Sequence, residues 1–258
     1  MKVVLLAGGY GTRLSEETDI KPKPMVEIGG KPILWHIMKL YSYFGFSEFI
    51  VCLGYKGYVI KEYFSNYFLH MADVTFDMVK NDMIVHKKKA EPWKITLVDT
   101  GLSSMTGGRI KRVQEYVGNE RFMVTYGDGL SNQNITSLLD SHIKSKKIGT
   151  MTTVQPSGRF GAVEIGENNN INAFVEKPRG DGAWINAGFF VFEPEFFNYI
   201  AGDSTVLEKE PLETLSKNGE LNAFKHNGFW KPMDTLREKQ EFESLWSSGN
   251  APWKVWNG

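Results

Sequence analysis

The stretch VVLLA at 3–7 runs without a polar break and ends on a glycine turn, GGYG at 8–11. A strand with one wet face alternates polar and apolar residues. A run that is apolar at every position is buried on both faces, the habit of strands in a parallel sheet covered by helices. The pattern returns in EFIVCLGY at 48–55 and RFMVTYGDG at 121–129. Between such runs lie helical ones. In KPILWHIMKLYSYF at 31–44, Ile33, Leu34, Ile37, Leu40, Tyr41 and Phe44 recur at helical spacing behind a first-turn Pro32, and Gly45 is the stop. KGYVIKEYFSNYF at 56–68 and NITSLLDSHIKSKK at 134–147 read as further helices. Strands alternating with helices predict an α/β fold, a Rossmann-like mixed, mostly parallel sheet with helices on both faces.

Two stretches depart from the alternation. Residues 70 to 100 carry short β-like pieces, DVTFDMV, DMIVHKKK and KITLVDTG, and are expected to form an antiparallel insertion. GAVEIGENNNINAFVEKP, at 161–178, holds two strand-like runs around an asparagine-rich turn, a hairpin signal. WINAGFFVF at 184–192 reads as another core strand, and a closing helix and tail occupy about 235–258. No internal repeat or low-complexity linker marks a boundary, so 1–258 is read as one domain.

Charge and cysteine content exclude several classes. Thirty basic and thirty acidic residues cancel, and no run of one sign exceeds HKKK at 86–89, so neither nucleic acid nor a membrane surface is an expected partner. Cys52 is the single cysteine, set in the apolar run FIVCLGY, and is expected to be a buried, inert thiol. No apolar stretch approaches the roughly 18 residues of a membrane span, and a soluble, cytoplasmic protein is expected. The five histidines show no metal-ligand spacing.

The glycine turn carries the first chemistry. Glycines between a strand and a helix let backbone N–H groups approach an anion closely, and Arg13 with the two lysines of KPKP supplies matching charge. A dinucleotide fingerprint fails, because Leu14 stands where the third small residue belongs and no acid follows a second strand at the required distance. This weakens a nicotinamide-dependent oxidoreductase. A Walker loop fails as well, since the available GK pair is followed by Pro32.

Acids and amides supply the rest. Asp128 ends an apolar strand between two glycines, at the carboxyl edge where open α/β sheets place ligands, and is a candidate magnesium ligand. Asp234 in KPMDT reads locally as the N-cap of the last helix. Glu176 and Lys177 could be a solvated strand end. Arg109, at the start of the helix GGRIKRVQEYV, is oddly placed for the helix dipole, which an anion or a base carbonyl would explain; a surface arginine is the plain alternative.

LLAGGYGTRL followed by KPKPM resembles the signature of the sugar-1-phosphate nucleotidylyltransferases, a GGxGTR loop and then a PKP lysine. YGDG, EKP, NAG and MDT extend the likeness over residues 3 to 235. The resemblance implies that Leu6, Ala7, Gly8, Gly9, Tyr10, Gly11 and Thr12 wrap a nucleoside triphosphate, with Arg13 on its phosphates and Lys23 by the reacting ones. It implies Ser104, Arg109 and Gly127 at the nucleotide, and Glu176, Lys177, Asn186 and Gly188 at the sugar phosphate. Asp128 and Asp234 would share Mg2+, which sets metal against helix cap for one carboxylate. Longer stretches such as EPWKITLVDTG, GRFGA and FWKPMDTLREK are similar to members that use CTP and glucose 1-phosphate, which implies those substrates and a homo-oligomer, a hexamer. UTP or dTTP as donor is the nearest alternative. A catalytically silent nucleotide-sensing subunit is another, opposed by the joint presence of Arg13, Lys23, Asp128 and Asp234.

Overall fold

The computed structural model describes residues 1–86, 90–156, 162–165, 170–175 and 183–256. Seven strands form the central sheet: β1 (Lys2–Leu6), β2 (Glu48–Leu53), β3 (Lys94–Asp99), β4 (Phe122–Tyr126), β5 (Gly149–Val154), β6 (Ile185–Phe192) and β7 (Leu221–His226). Their order across the sheet is β7-β5-β6-β4-β1-β2-β3. Every neighbouring pair is parallel except those of β6, which runs antiparallel to both β4 and β5. The expected mixed, mostly parallel sheet is therefore present.

The unbroken apolar run of β1 is explained by two cores. Val3 and Leu5 enter one cluster with Ile37, Met38 and Tyr41, while Val4 enters the other with Ile110, Val124 and Phe190. The principal helices are α1 (Ile33–Tyr43), α2 (Gly57–Ser65), α3 (Thr106–Arg112), α4 (Ile135–Ser145), α5 (Glu210–Lys217) and α6 (Leu236–Ser247). α1 is buried on almost every side because the C-terminal tail folds over it. There the Trp253 indole N–H donates to Nδ1 of His36, whose Nε2 lies 2.9 Å from the Ile28 carbonyl. Burial pulls the His36 pKa down to about 4, so the ring is a neutral core element. Cys52 is fully buried and its thiol is pushed up to about 12, in keeping with an inert side chain.

Three readings change in detail. Lys94–Asp99, assigned from sequence to the insertion, is instead the edge strand of the main sheet, parallel to β2. The antiparallel part of that region is the hairpin Asp73–Asp77 with Asp82–His86. The helix read over 56–68 breaks at Asn66, and GGRIKRVQEYV breaks at Val113, where the N–H turns back to Ile110 O in a tighter turn. The predicted hairpin at 161–178 pairs Ala162–Ile165 with Ile171–Val175, and its turn lies outside the described residues.

Among the described residues no helix is long and apolar enough to cross a membrane. What matters for function is the carboxyl edge of the sheet. β1 has β2 on one side and β4 on the other, so the chain reverses its winding there, and open α/β sheets bind ligands in the crevice such a reversal leaves.

Candidate active site

At that edge Lys23 Nζ lies 2.7 Å from Oδ2 of Asp128 and 2.6 Å from Oδ1 of Asp234. Lys23 opens a short 3-10 turn between Pro22 and Pro24, and the flanking rings restrict the backbone that aims it. Asp128 follows β4 directly. Asp234 arrives through a short antiparallel pairing of Trp230–Pro232 with Gly129–Ser131, closed by the Met233 N–H donating to Asp128 O at 2.8 Å. Thus a lysine and two acids from three parts of the chain converge.

The competition over Asp234 is resolved by its neighbour. Thr235 is the N-cap of α6, in a capping box with Glu238. The Glu238 carboxylate also accepts the Asp234 N–H, at 2.7 Å. The cap reading of Asp234 is therefore overturned: its backbone is held by the box, and its carboxylate turns to Lys23. Two carboxylates held on an ammonium also form a hard-oxygen site able to take a divalent cation. Among the described residues no group of three or more His, Cys, Asp or Glu is arranged around a metal position.

Beside this cluster the glycine turn is pinned from both sides. The Ala7 N–H donates to Cys52 O, the Gly127 N–H to Leu6 O and the Tyr55 N–H to Gly8 O, at 3.1, 3.1 and 3.2 Å. Beneath it lies Arg109, only 5% exposed, which overturns the surface-arginine alternative. Its Nη1 donates to Leu53 O at 3.1 Å, Thr100 Oγ1 at 2.8 Å and Gly101 O at 2.7 Å, and its Nη2 donates to Leu102 O at 3.3 Å. Burial holds its pKa below the usual arginine value. A Cβ on Gly8 would fall 2.2 Å from Nη1, so the glycine is required by the arginine packed under it. A Cβ on Gly9 would meet nothing, which leaves that side of the turn open to a ligand. The Ser104 hydroxyl donates to Thr100 O and steadies the same loop. The Arg13 side chain lies outside the described residues.

The nucleotidyl transferase family model matches residues 2–231. The chain belongs to the nucleotidyl transferase family. It is 62% identical over 257 residues, covering 99% of this chain and 100% of the relative, to the glucose-1-phosphate cytidylyltransferase of Salmonella typhi. It is 44% identical, over 99% of this chain and 100% of the relative, to a probable glucose-1-phosphate cytidylyltransferase of Bacillus subtilis. HddC from Yersinia pseudotuberculosis shares the fold at a TM-score of 0.70 and 23% identity, covering 95% of this chain and 99% of that one.

As a nucleotidyl transferase, the chain must hold a second reactant near the triphosphate, and the antiparallel direction of β6 brings its first residues to the working edge. Asn186 Oδ1 accepts the Gly188 N–H at 2.8 Å, and its Nδ2 donates to the Tyr126 hydroxyl at 3.1 Å. Gly188 has φ +77°, and a Cβ there would fall 2.4 Å from the Tyr126 ring, so glycine is needed both for the backbone and for the tyrosine. Glu176 and Lys177 lie outside the described residues. Tyr126 stands inside the YGDG motif of this nucleotidyl transferase, but nothing local in the sequence marks its hydroxyl as a partner of Asn186. Glu208, which accepts that hydroxyl, is marked by no motif.

Proposed function

We propose that this chain transfers the cytidylyl group of CTP to α-D-glucose 1-phosphate, giving CDP-glucose and pyrophosphate. The observation that carries the reading is 62% identity along the whole length of both chains to a protein of that activity. The site supports the reaction type. A phosphate oxygen of the sugar attacks the α-phosphorus while its bond to the bridging oxygen breaks, and such a displacement needs alignment and charge neutralisation rather than a protein nucleophile. In this reading the turn from Leu6 to Thr12 receives the triphosphate, with Arg13 on its phosphates. Lys23 moves from its two carboxylates to the reacting phosphates. Arg109 and Ser104 hold the nucleotide loop, and Gly127 keeps the floor of the crevice open. Glu176, Lys177, Asn186 and Gly188 receive glucose 1-phosphate. Relatives of this family generally use a divalent metal. We assign Mg2+ to Asp128 and Asp234, where it would neutralise phosphate charge.

The working unit is read as one domain over 1–258, cytoplasmic, and as a homo-oligomer, a hexamer by family resemblance. The hairpin residues Phe76, Met78, Val79, Met83 and Ile84 are exposed and give such an assembly apolar surface to bury.

The test is a panel of the four common triphosphates with glucose 1-phosphate, read as pyrophosphate release. Cytosine offers an amino donor and an unprotonated ring nitrogen where uracil offers a carbonyl and an N–H, so UTP leaves buried polar groups of a CTP site mismatched. CTP is expected to exceed UTP by at least about 30-fold in kcat/KM, or about 2 kcal/mol. Equal use of both overturns the cytidylyl assignment, and no pyrophosphate with any triphosphate favours a silent subunit.

A further inference from the structure

One carboxylate joins the two halves of the crevice. Glu208 accepts the Thr106 hydroxyl on Oε2 at 2.7 Å, and Thr106 opens α3, the helix that carries Arg109. Its other oxygen, Oε1, accepts the Tyr126 hydroxyl. The segment bearing Glu208 is itself docked on α3: the Leu207 N–H donates to Thr106 Oγ1 at 2.9 Å, and a Cβ on Gly108 would fall 2.3 Å from Asp203 O. A tyrosine hydroxyl has one proton. Here that proton is committed to Glu208, so toward Asn186 the hydroxyl can only accept. The tyrosine oxygen therefore takes the amide's NH2 end, in agreement with the Gly188 N–H, which takes its oxygen. One N–H and one lone pair of Asn186 then remain, each in a fixed place.

We propose that Glu208 is a positioning residue for the sugar phosphate: through Tyr126 it holds the NH2 end of the Asn186 amide in place for a sugar hydroxyl, and it ties that placement to the nucleotide-side helix. The proposal rests on the reading of Asn186 as a sugar contact. With Glu208 removed, the Tyr126 proton can turn toward the Asn186 NH2 group and break that contact, so the amide stays tethered at the Gly188 N–H but loses its hold on Tyr126. The experiment measures KM and kcat for glucose 1-phosphate at saturating CTP, together with KM for CTP, in five variants. Glu208→Ala and Tyr126→Phe are each expected to raise the glucose 1-phosphate KM about tenfold, with the CTP KM within about threefold of the parent. Glu208→Gln, which keeps an acceptor for the tyrosine, is expected to restore the sugar KM to within about threefold. In the double variant Glu208→Ala/Tyr126→Phe the sugar KM should rise no further than in Tyr126→Phe alone, because Glu208 acts through that hydroxyl. Independent effects that multiply, or a Glu208→Ala enzyme with the parent's sugar KM, overturn the proposal while Asn186→Ala still raises that KM. An Asn186→Ala enzyme with an unchanged sugar KM overturns the underlying sugar assignment, and this proposal with it.

Discussion

Asp234→Asn is expected to lower kcat/KM at least about 100-fold, a loss of about 2.7 kcal/mol of transition-state stabilisation, while the fold stays intact. The amide keeps the shape of the carboxylate but not its charge, so it holds neither the Lys23 ammonium nor a divalent cation as well. Asp128→Asn should behave alike, since both acids meet the same Nζ. The neighbouring threonine supplies the contrast. Thr235→Ala removes the side-chain half of a capping box and should cost about 1 kcal/mol of stability with little change in turnover. Steady-state kinetics and thermal melting on the two variants separate the roles. Near-normal turnover in Asp234→Asn with a lowered melting temperature would leave Asp234 a structural partner of Lys23 and take it out of the catalytic site.

The parts legible in the sequence were those encoded locally. Apolar runs bounded by glycine mark strands buried on both faces, and β1, β2 and β4 stand where those runs predict. Lys94–Asp99 was misassigned because its sequence, KITLVDTG, follows two hairpin strands and carries no sign of which strand it will pair with. Partner choice is a tertiary property. The metal-or-cap question over Asp234 was undecidable locally for a similar reason. Aspartate and threonine are both good caps, and only the reach of Glu238 back to the Asp234 and Thr235 N–H groups shows which one serves. Glu208 was invisible because its meaning comes from Thr106 and Tyr126, each some eighty to a hundred positions away. By contrast, the resemblance sets Asp128 and Asp234 on one metal and Lys23 by the reacting phosphates without naming a contact among the three, and the pairing of Gly129–Ser131 with Trp230–Pro232 is what brings the two acids together.

Arg109→Ala is expected to destabilise the protein by about 3 kcal/mol, before any question of the nucleotide arises. The guanidinium donates to four acceptors, the carbonyls of Leu53, Gly101 and Leu102 and the Thr100 hydroxyl, and alanine leaves buried members of that set without their charged donor. The loss also removes the support on which Gly8 rests, since that glycine and Gly54 both approach the guanidinium more closely than a Cβ would permit. Lysine is no substitute, because a single ammonium cannot reproduce a planar fork that spans acceptors on both sides of the loop. Denaturant titration should show the lowered stability in Arg109→Ala and a partial loss in Arg109→Lys. Kinetics should show weakened nucleotide binding, because the turn we assign to the triphosphate has lost its floor, with CTP and UTP affected together. Parental stability combined with a collapsed preference for CTP would instead place the guanidinium on the base itself, and would make its four protein contacts incidental to the fold.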